Sequence, residues 1–166
     1  MLFRSISGLE SFYTGVGSTL YAETNTEYYD GSATSPNYVS SSVARASSLI
    51  DISATPNGGP STSAVLAEAC KMATQGGGKP VTNGYYPVYT DIRRGTAGYC
   101  AWHSAGTCSG VQITFAFFFD LEGDGGCSVS GGTDPLNKPH SGPLASLGNV
   151  TAHELSEMLT DPRLNA

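Results

Sequence analysis

Charge is what this sequence has least of. Charged residues make up 13% of its 166 positions, with eight Lys and Arg against fourteen Asp and Glu and a formal net charge of -6. The basic residues stand singly apart from Arg93-Arg94, so no basic stripe or groove is available for a phosphate backbone, and nucleic acid is not an expected partner. Long apolar runs are also missing. A membrane helix needs about 20 apolar residues, whereas the most apolar stretch, 111-VQITFAFFFDL-121, has polar residues in and beside it and suits a strand. No segment is expected to enter a membrane.

Other absences exclude further chemistries. The glycine clusters 76-GGG-78 and 123-GDGG-126 lack GxGxxG spacing after a strand, and neither ends in GK[ST], which argues against a nucleotide site. No nucleophile elbow is present, and Ser104 beside His103 does not make a triad, since sequence neighbours do not normally share a contact geometry. Glu122 and Asp124 suit calcium by residue type but lack EF-hand spacing. The start, 1-MLFRSISGLESFYTG-15, has neither the apolar core nor the small-residue cleavage site of a signal peptide. The chain also stops soon after its last helix. The expectation is a single domain over 1–166 that is a fragment, lacking a signal peptide and first strand at one end and a tail at the other.

What is plentiful is neutral and polar: Gly, Ser, Thr, Asn and Tyr, a composition common among secreted proteins. There are four cysteines, Cys70, Cys100, Cys108 and Cys127, with no CxxC metal or redox motif. At least one disulfide is expected, Cys100 to Cys127 or Cys100 to Cys108, with Cys70 a buried thiol on an apolar helix face.

Periodicity outlines the elements. Residues 6–13 read as the end of a helix, and the Tyr- and Thr-rich 14–33 as a short strand or extended segment ending at Asp30-Gly31. From Ser32 to Pro60 the chain is loop-like, with a short strand near Ser47 to Ile52. A helix follows, capped by Ser61 or Ser63, striped by Val65, Leu66, Ala69, Cys70 and Met72 and stopped by 75-QGGGKP-80. Strands are expected at 85–92 and 111–121, the second buried on both faces where alternation fails in Ala-Phe-Phe-Phe. A long loop over 122–143 leads to a last helix starting at Leu144 or Thr151. In the shorter version Thr151 and Glu154 form a capping box; in the longer one Gly148 lies inside the helix and the box does not exist. The fold class is α/β or α+β, a central mixed sheet with flanking helices.

That last helix carries 153-HELSE-157. Positions four apart share a helix face, so His153 and Glu157 can converge on one ion, and imidazole and carboxylate are both zinc ligands. Glu154 occupies the place from which a zinc-protease glutamate takes a proton. A credible site needs a third ligand, and the candidates are His103, His140 and Asp161 or a residue beyond 166. The ordinary reading has Glu154 capping the helix, Glu157 in solvent and His153 in a hydrogen-bonded core.

The segment 99-YCAWHS-104, an apolar strand ending near Asp120, Cys127 and then 153-HELSEMLTDPRLNA-166 together resemble the EXORDIUM-like, or phosphate-induced, proteins and their bacterial secreted relatives. Cys100, Trp102, His103, Cys127, His153, Glu154, Leu155, Glu157, Thr160, Asp161, Pro162, Asn165 and Ala166 match that family's pattern in order. The segments 12–30 and 61–73 resemble its upstream regions more loosely. The resemblance implies secretion, to a cell wall or a bacterial exterior, without an enzymatic activity to transfer. The helix itself is similar to that of zinc metallopeptidases, with Glu157 in place of the second histidine. It implies zinc held by His153 and Glu157, with Glu154 as the base and His103 or Asp161 as a further ligand or orienting group. Two functions follow as expectations: a secreted zinc-dependent peptidase or hydrolase, or a non-catalytic wall or matrix protein in which the cluster is structural.

Overall fold

The computed structural model describes residues 6–53, 61–128 and 141–164. Among these, four α-helices, a three-stranded mixed sheet and a two-stranded antiparallel sheet make an α+β fold. Helices α1 (Ile6–Gly15) and α2 (Leu20–Glu23) precede the hairpin β1 (Tyr29–Ser32) and β2 (Ser35–Tyr38). Helix α3 (Thr62–Thr74) leads to β3 (Tyr85–Arg93), β4 (Ala101–Cys108), β5 (Val111–Asp120) and α4 (Gly142–Thr160).

Strand β5 lies in the middle, parallel to β3 and antiparallel to β4. That position explains its composition, because a central strand covered on both faces has no solvent side on which to alternate. Ile113 and all of Phe115 to Phe119 are buried. Residue parity along β4 shows which helix covers which face. Gly106 lies under Leu66 of α3, so closely that a Cβ there would sit 2.6 Å from the Leu66 side chain. Cys108, two residues on, meets Cys70 of α3. The even-numbered positions therefore face α3. His103 is on the other face and meets α4, so α3 and α4 cover opposite sides of the sheet.

Helix α3 begins where expected. Ser61 is its cap, with Oγ accepting from the Ala64 amide at 3.3 Å, and Val65 and Ala69 are buried. Gly76 and Gly77, both at positive φ (65° and 83°), turn the chain away at its end. Helix α4 takes the longer of its two expected forms. Ser141 caps it through the Leu144 amide at 3.4 Å, Pro143 sits in the first turn where a missing N–H costs nothing, and Gly148 is internal. The Thr151-Glu154 capping box therefore does not form.

Three local readings are corrected. Residues 20–27 are not extended; α2 and a 3-10 turn at Thr24–Glu27 occupy them, with Thr19 Oγ1 capping the Ala22 amide at 3.2 Å. Ser47 to Ile52 forms no strand, because no strand among the described residues accepts its backbone groups, and Leu49, Ile50 and Ile52 stay exposed. Cys70 is not a free thiol. It pairs with Cys108, Cα to Cα 5.4 Å, because the apolar stripe that carries it rests on the end of β4. The expected Cys100–Cys127 bridge is present at 5.8 Å. A Cys100–Cys108 bridge is excluded, since eight residues of extended strand set those two more than about 20 Å apart. Spanning 38 and 27 residues, the two bridges each remove about 3.5–4 kcal/mol of unfolded-chain entropy. Such bonds persist in oxidising, extracellular surroundings. No helix among the described residues is long and apolar enough to cross a membrane.

Candidate metal centre

Helix periodicity decides which of the two acidic residues faces inward. Leu147, Val150, Thr151, Glu154, Leu155 and Met158 recur at three- and four-residue steps and form the buried stripe of α4. Glu154 thus enters the core side as part of that stripe, 5% exposed. His153, one position off it, points outward with its side chain 64% exposed, and Glu157 lies at the edge at 47%. On β4, His103 is on the face turned to α4 and is 5% exposed.

These placements bring His103, Glu154 and Glu157 together, with one potential ligand atom from each lying within 4.8 Å of the others. His103 Nδ1 is 3.2 Å from Glu154 Oε2 and 3.3 Å from Glu157 Oε2. The other ring nitrogen, Nε2, is 3.1 Å from the backbone carbonyl of Asp161, at the C-terminal cap of α4. A carbonyl can only accept, so Nε2 must carry a proton and donate it. In the neutral ring Nδ1 is then a bare lone pair facing two carboxylates.

Three lone-pair atoms cannot converge without a positive charge among them. A proton or a cation must be shared at that point. The donor set of one imidazole and two carboxylates fits a divalent metal ion. The Nε2–H to carbonyl bond is also the arrangement that orients a metal-binding imidazole and fixes its tautomer. His103, Glu154 and Glu157 could therefore hold a metal ion.

The surroundings bias the charges. Burial pushes the Glu154 carboxyl above the usual carboxylate range; its contact with His103 opposes this, and the neighbouring charge of Glu157 adds to it. Behind Glu154 on the same helix, the Thr151 hydroxyl is 3.0 Å from that of Tyr89, which is 2.9 Å from that of Tyr13. Burial, followed by Tyr85 for Tyr13 and by Tyr13 for Tyr89, holds both tyrosines well above the usual phenol range, so they remain neutral. The Tyr85 hydroxyl is buried with no partner in hydrogen-bonding geometry among the described residues. Burial first, then Tyr89 and Glu154, raise it as well.

The sequence-derived candidates are distributed as follows. His103, Glu154 and Glu157 form the cluster. His153 stands outside it, Nε2 3.2 Å from Glu157 Oε1, so Glu157 bridges the buried and the exposed histidine. Asp161 contributes its backbone carbonyl to His103 Nε2. His140, Asn165 and Ala166 lie outside the described residues. The inward orientation of Glu154 had a usable signal in the sequence: it continues the apolar series Leu147, Val150, Leu155 and Met158, whereas His153 does not.

No family model matches this chain, and no match was found among curated proteins or among solved structures.

Proposed function

We propose that this protein is an extracellular zinc-dependent hydrolase, acting on peptides, with its metal on His103 Nδ1, Glu154 and Glu157. The observation that carries the reading is the buried His103 ring, its Nε2 anchored on the Asp161 carbonyl and its Nδ1 aimed at both carboxylates. Three protein ligands and one accessible side make the pattern of a catalytic rather than a structural zinc, and the half-exposed Glu157 supplies that side. A bound zinc would supply Lewis acidity toward a carbonyl.

The chain's own groups divide the remaining work. Asp161 and the end of α4 hold the imidazole in one tautomer. Glu154, buried, joins β4 to α4 and keeps water from the inner side. His153, exposed and tied through Glu157 to the cluster, is placed to give or take a proton at the cleft. This assignment moves the proton-handling role from Glu154 to His153 relative to the zinc-protease pattern. The two disulfides and the resemblance to the EXORDIUM-like proteins support placement outside the cell.

A second reading has its own observation. A protonated Glu154, favoured by its burial, can donate to His103 Nδ1 and satisfy the pair with no metal, which would leave a non-catalytic wall or matrix protein with a buried strut. Hydrolysis assays separate the two. The hydrolase reading predicts cleavage of unstructured peptides that is lost with a chelator, restored by zinc, and lowered by two orders of magnitude or more in His103→Ala. A folded wild-type protein that takes up no zinc and shows no such cleavage supports the strut instead.

A further inference from the structure

Two unlike clefts adjoin the cluster. One, of about 470 Å³, is lined by Tyr21, Glu27, Tyr28 and Glu157 among others. The second, of about 450 Å³, has a wall of Tyr99, Ala101, Val150 and Ala152, with Glu154 at its inner side. Tyr21 and His153 line both, so the clefts meet on the outer face of α4 at the exposed edge of the cluster.

Their chemistries differ in a way that selects a ligand. Glu27 and Glu157 both line the first cleft; Glu157 is engaged in the cluster, whereas Glu27 is exposed and makes no ion pair among the described residues. Neither cleft is lined by Lys or Arg. Two tyrosine rings border the carboxylates, Tyr21 at 44% and Tyr28 at 56% exposure. The Tyr21 hydroxyl accepts from Ser156 Oγ at 3.0 Å, which fastens that ring to α4. Carboxylates beside aromatic faces favour an ammonium or guanidinium, held by charge and by the negative face of the ring. Beyond Glu154 of the cluster, His153 and the amide of Asn149, the second cleft presents the Tyr99 ring, 47% exposed, and the carbon of Ala101, Val150 and Ala152. It suits an apolar side chain.

We propose that these clefts are adjoining subsites for an extended peptide, the first taking a Lys or Arg side chain and the second an apolar one. His153 and Glu157 then lie beside the backbone between them. The assignment of cleavage to that backbone rests on the hydrolase reading; the binding preference does not. A neutral glycan would use the aromatic faces but not the unpaired Glu27, and the overall charge of -6 also favours a basic partner.

The test uses labelled peptides with an N-methylated amide between the two subsite residues, so that binding is read without cleavage. In fluorescence polarisation on the full chain, an Arg-Leu peptide should bind on the order of fivefold more tightly than its Gln-Leu counterpart. Glu27→Gln should erase that difference and leave the Gln-Leu affinity unchanged, and 0.5 M salt should erase it too. Equal binding of the two peptides, indifference to Glu27→Gln, or binding of cellohexaose in place of either peptide overturns the assignment. With ordinary peptides and zinc, a Glu27-dependent binder that is never cut sinks the hydrolase reading alone. Zinc-dependent cutting with no basic preference sinks the subsites alone.

Discussion

At the scale of residues, the decisive feature is one imidazole whose two nitrogens meet different partners. Nε2 faces a carbonyl and Nδ1 faces two carboxylates, so the cluster is balanced only by a proton or a cation. Glu154 makes this testable through stability. Its folded pKa is raised above the ordinary 4.5 by burial, so the folded chain holds its proton more tightly than the unfolded chain does. Its contribution is most favourable below the ordinary value and falls as pH rises toward the folded one. In chelator at pH 7, Glu154→Gln should therefore raise Tm, with the gain shrinking toward pH 4. With zinc at a hundredfold excess over its Kd, wild type gains about 2.7 kcal/mol and the variant does not, so the order of Tm values should reverse. Thermal melts with and without zinc check this; an unchanged order would count against Glu154 as a ligand.

At the scale of elements, the site depends on how β4 is held. Cys100, just before the strand, is bonded to Cys127 in the loop after β5. That loop is gathered by Asp124, whose Oδ1 accepts from the Gly126 and Cys127 amides at 2.8 Å each and whose Oδ2 accepts from Arg94 Nε at 2.9 Å. The Arg94 guanidinium, more than the backbone amides, holds the Asp124 carboxyl below its usual 3.8. A depressed folded pKa means stability that is present above the ordinary value and lost as pH falls through the lower one. Asp124→Asn should cost about 1–2 kcal/mol at neutral pH, and the gap from wild type should close below pH 3.8. Urea unfolding at pH 7 and pH 3 measures both. A gap that persists at low pH would assign the effect to lost packing instead.

The same scale shows what was legible in the sequence. Strand β5 and helix α3 follow from an apolar run and an apolar stripe, because burial on the sheet repeats the pattern that propensity already favours. α2 and its 3-10 turn were missed because Thr19, Thr24 and Thr26 bond their own nearby backbone carbonyls at 2.6–2.7 Å, a local competition that Tyr- and Thr-rich composition does not reveal. The Cys70–Cys108 pairing needed knowledge of which face of β4 receives α3. The site was legible as a list of residues but not as a geometry. The HExxE spacing suggested His153 as ligand, whereas the buried stripe of α4 turns Glu154 inward and leaves His153 outside.

At the scale of the whole molecule, the sheet carries its helices on opposite faces for different ends. α3, closed onto β4 by Gly106 and a disulfide, forms the sealed side. α4 brings its acidic residues to the other side, where the cluster meets solvent between two clefts. One measurement tests this account most directly: zinc per chain, by elemental analysis after dialysis, for wild type, His103→Ala and His153→Ala, with circular dichroism to show that each is folded. The account predicts about one zinc in wild type, retained in His153→Ala and lost in His103→Ala. No zinc in wild type, or zinc lost with His153 and kept without His103, would contradict it.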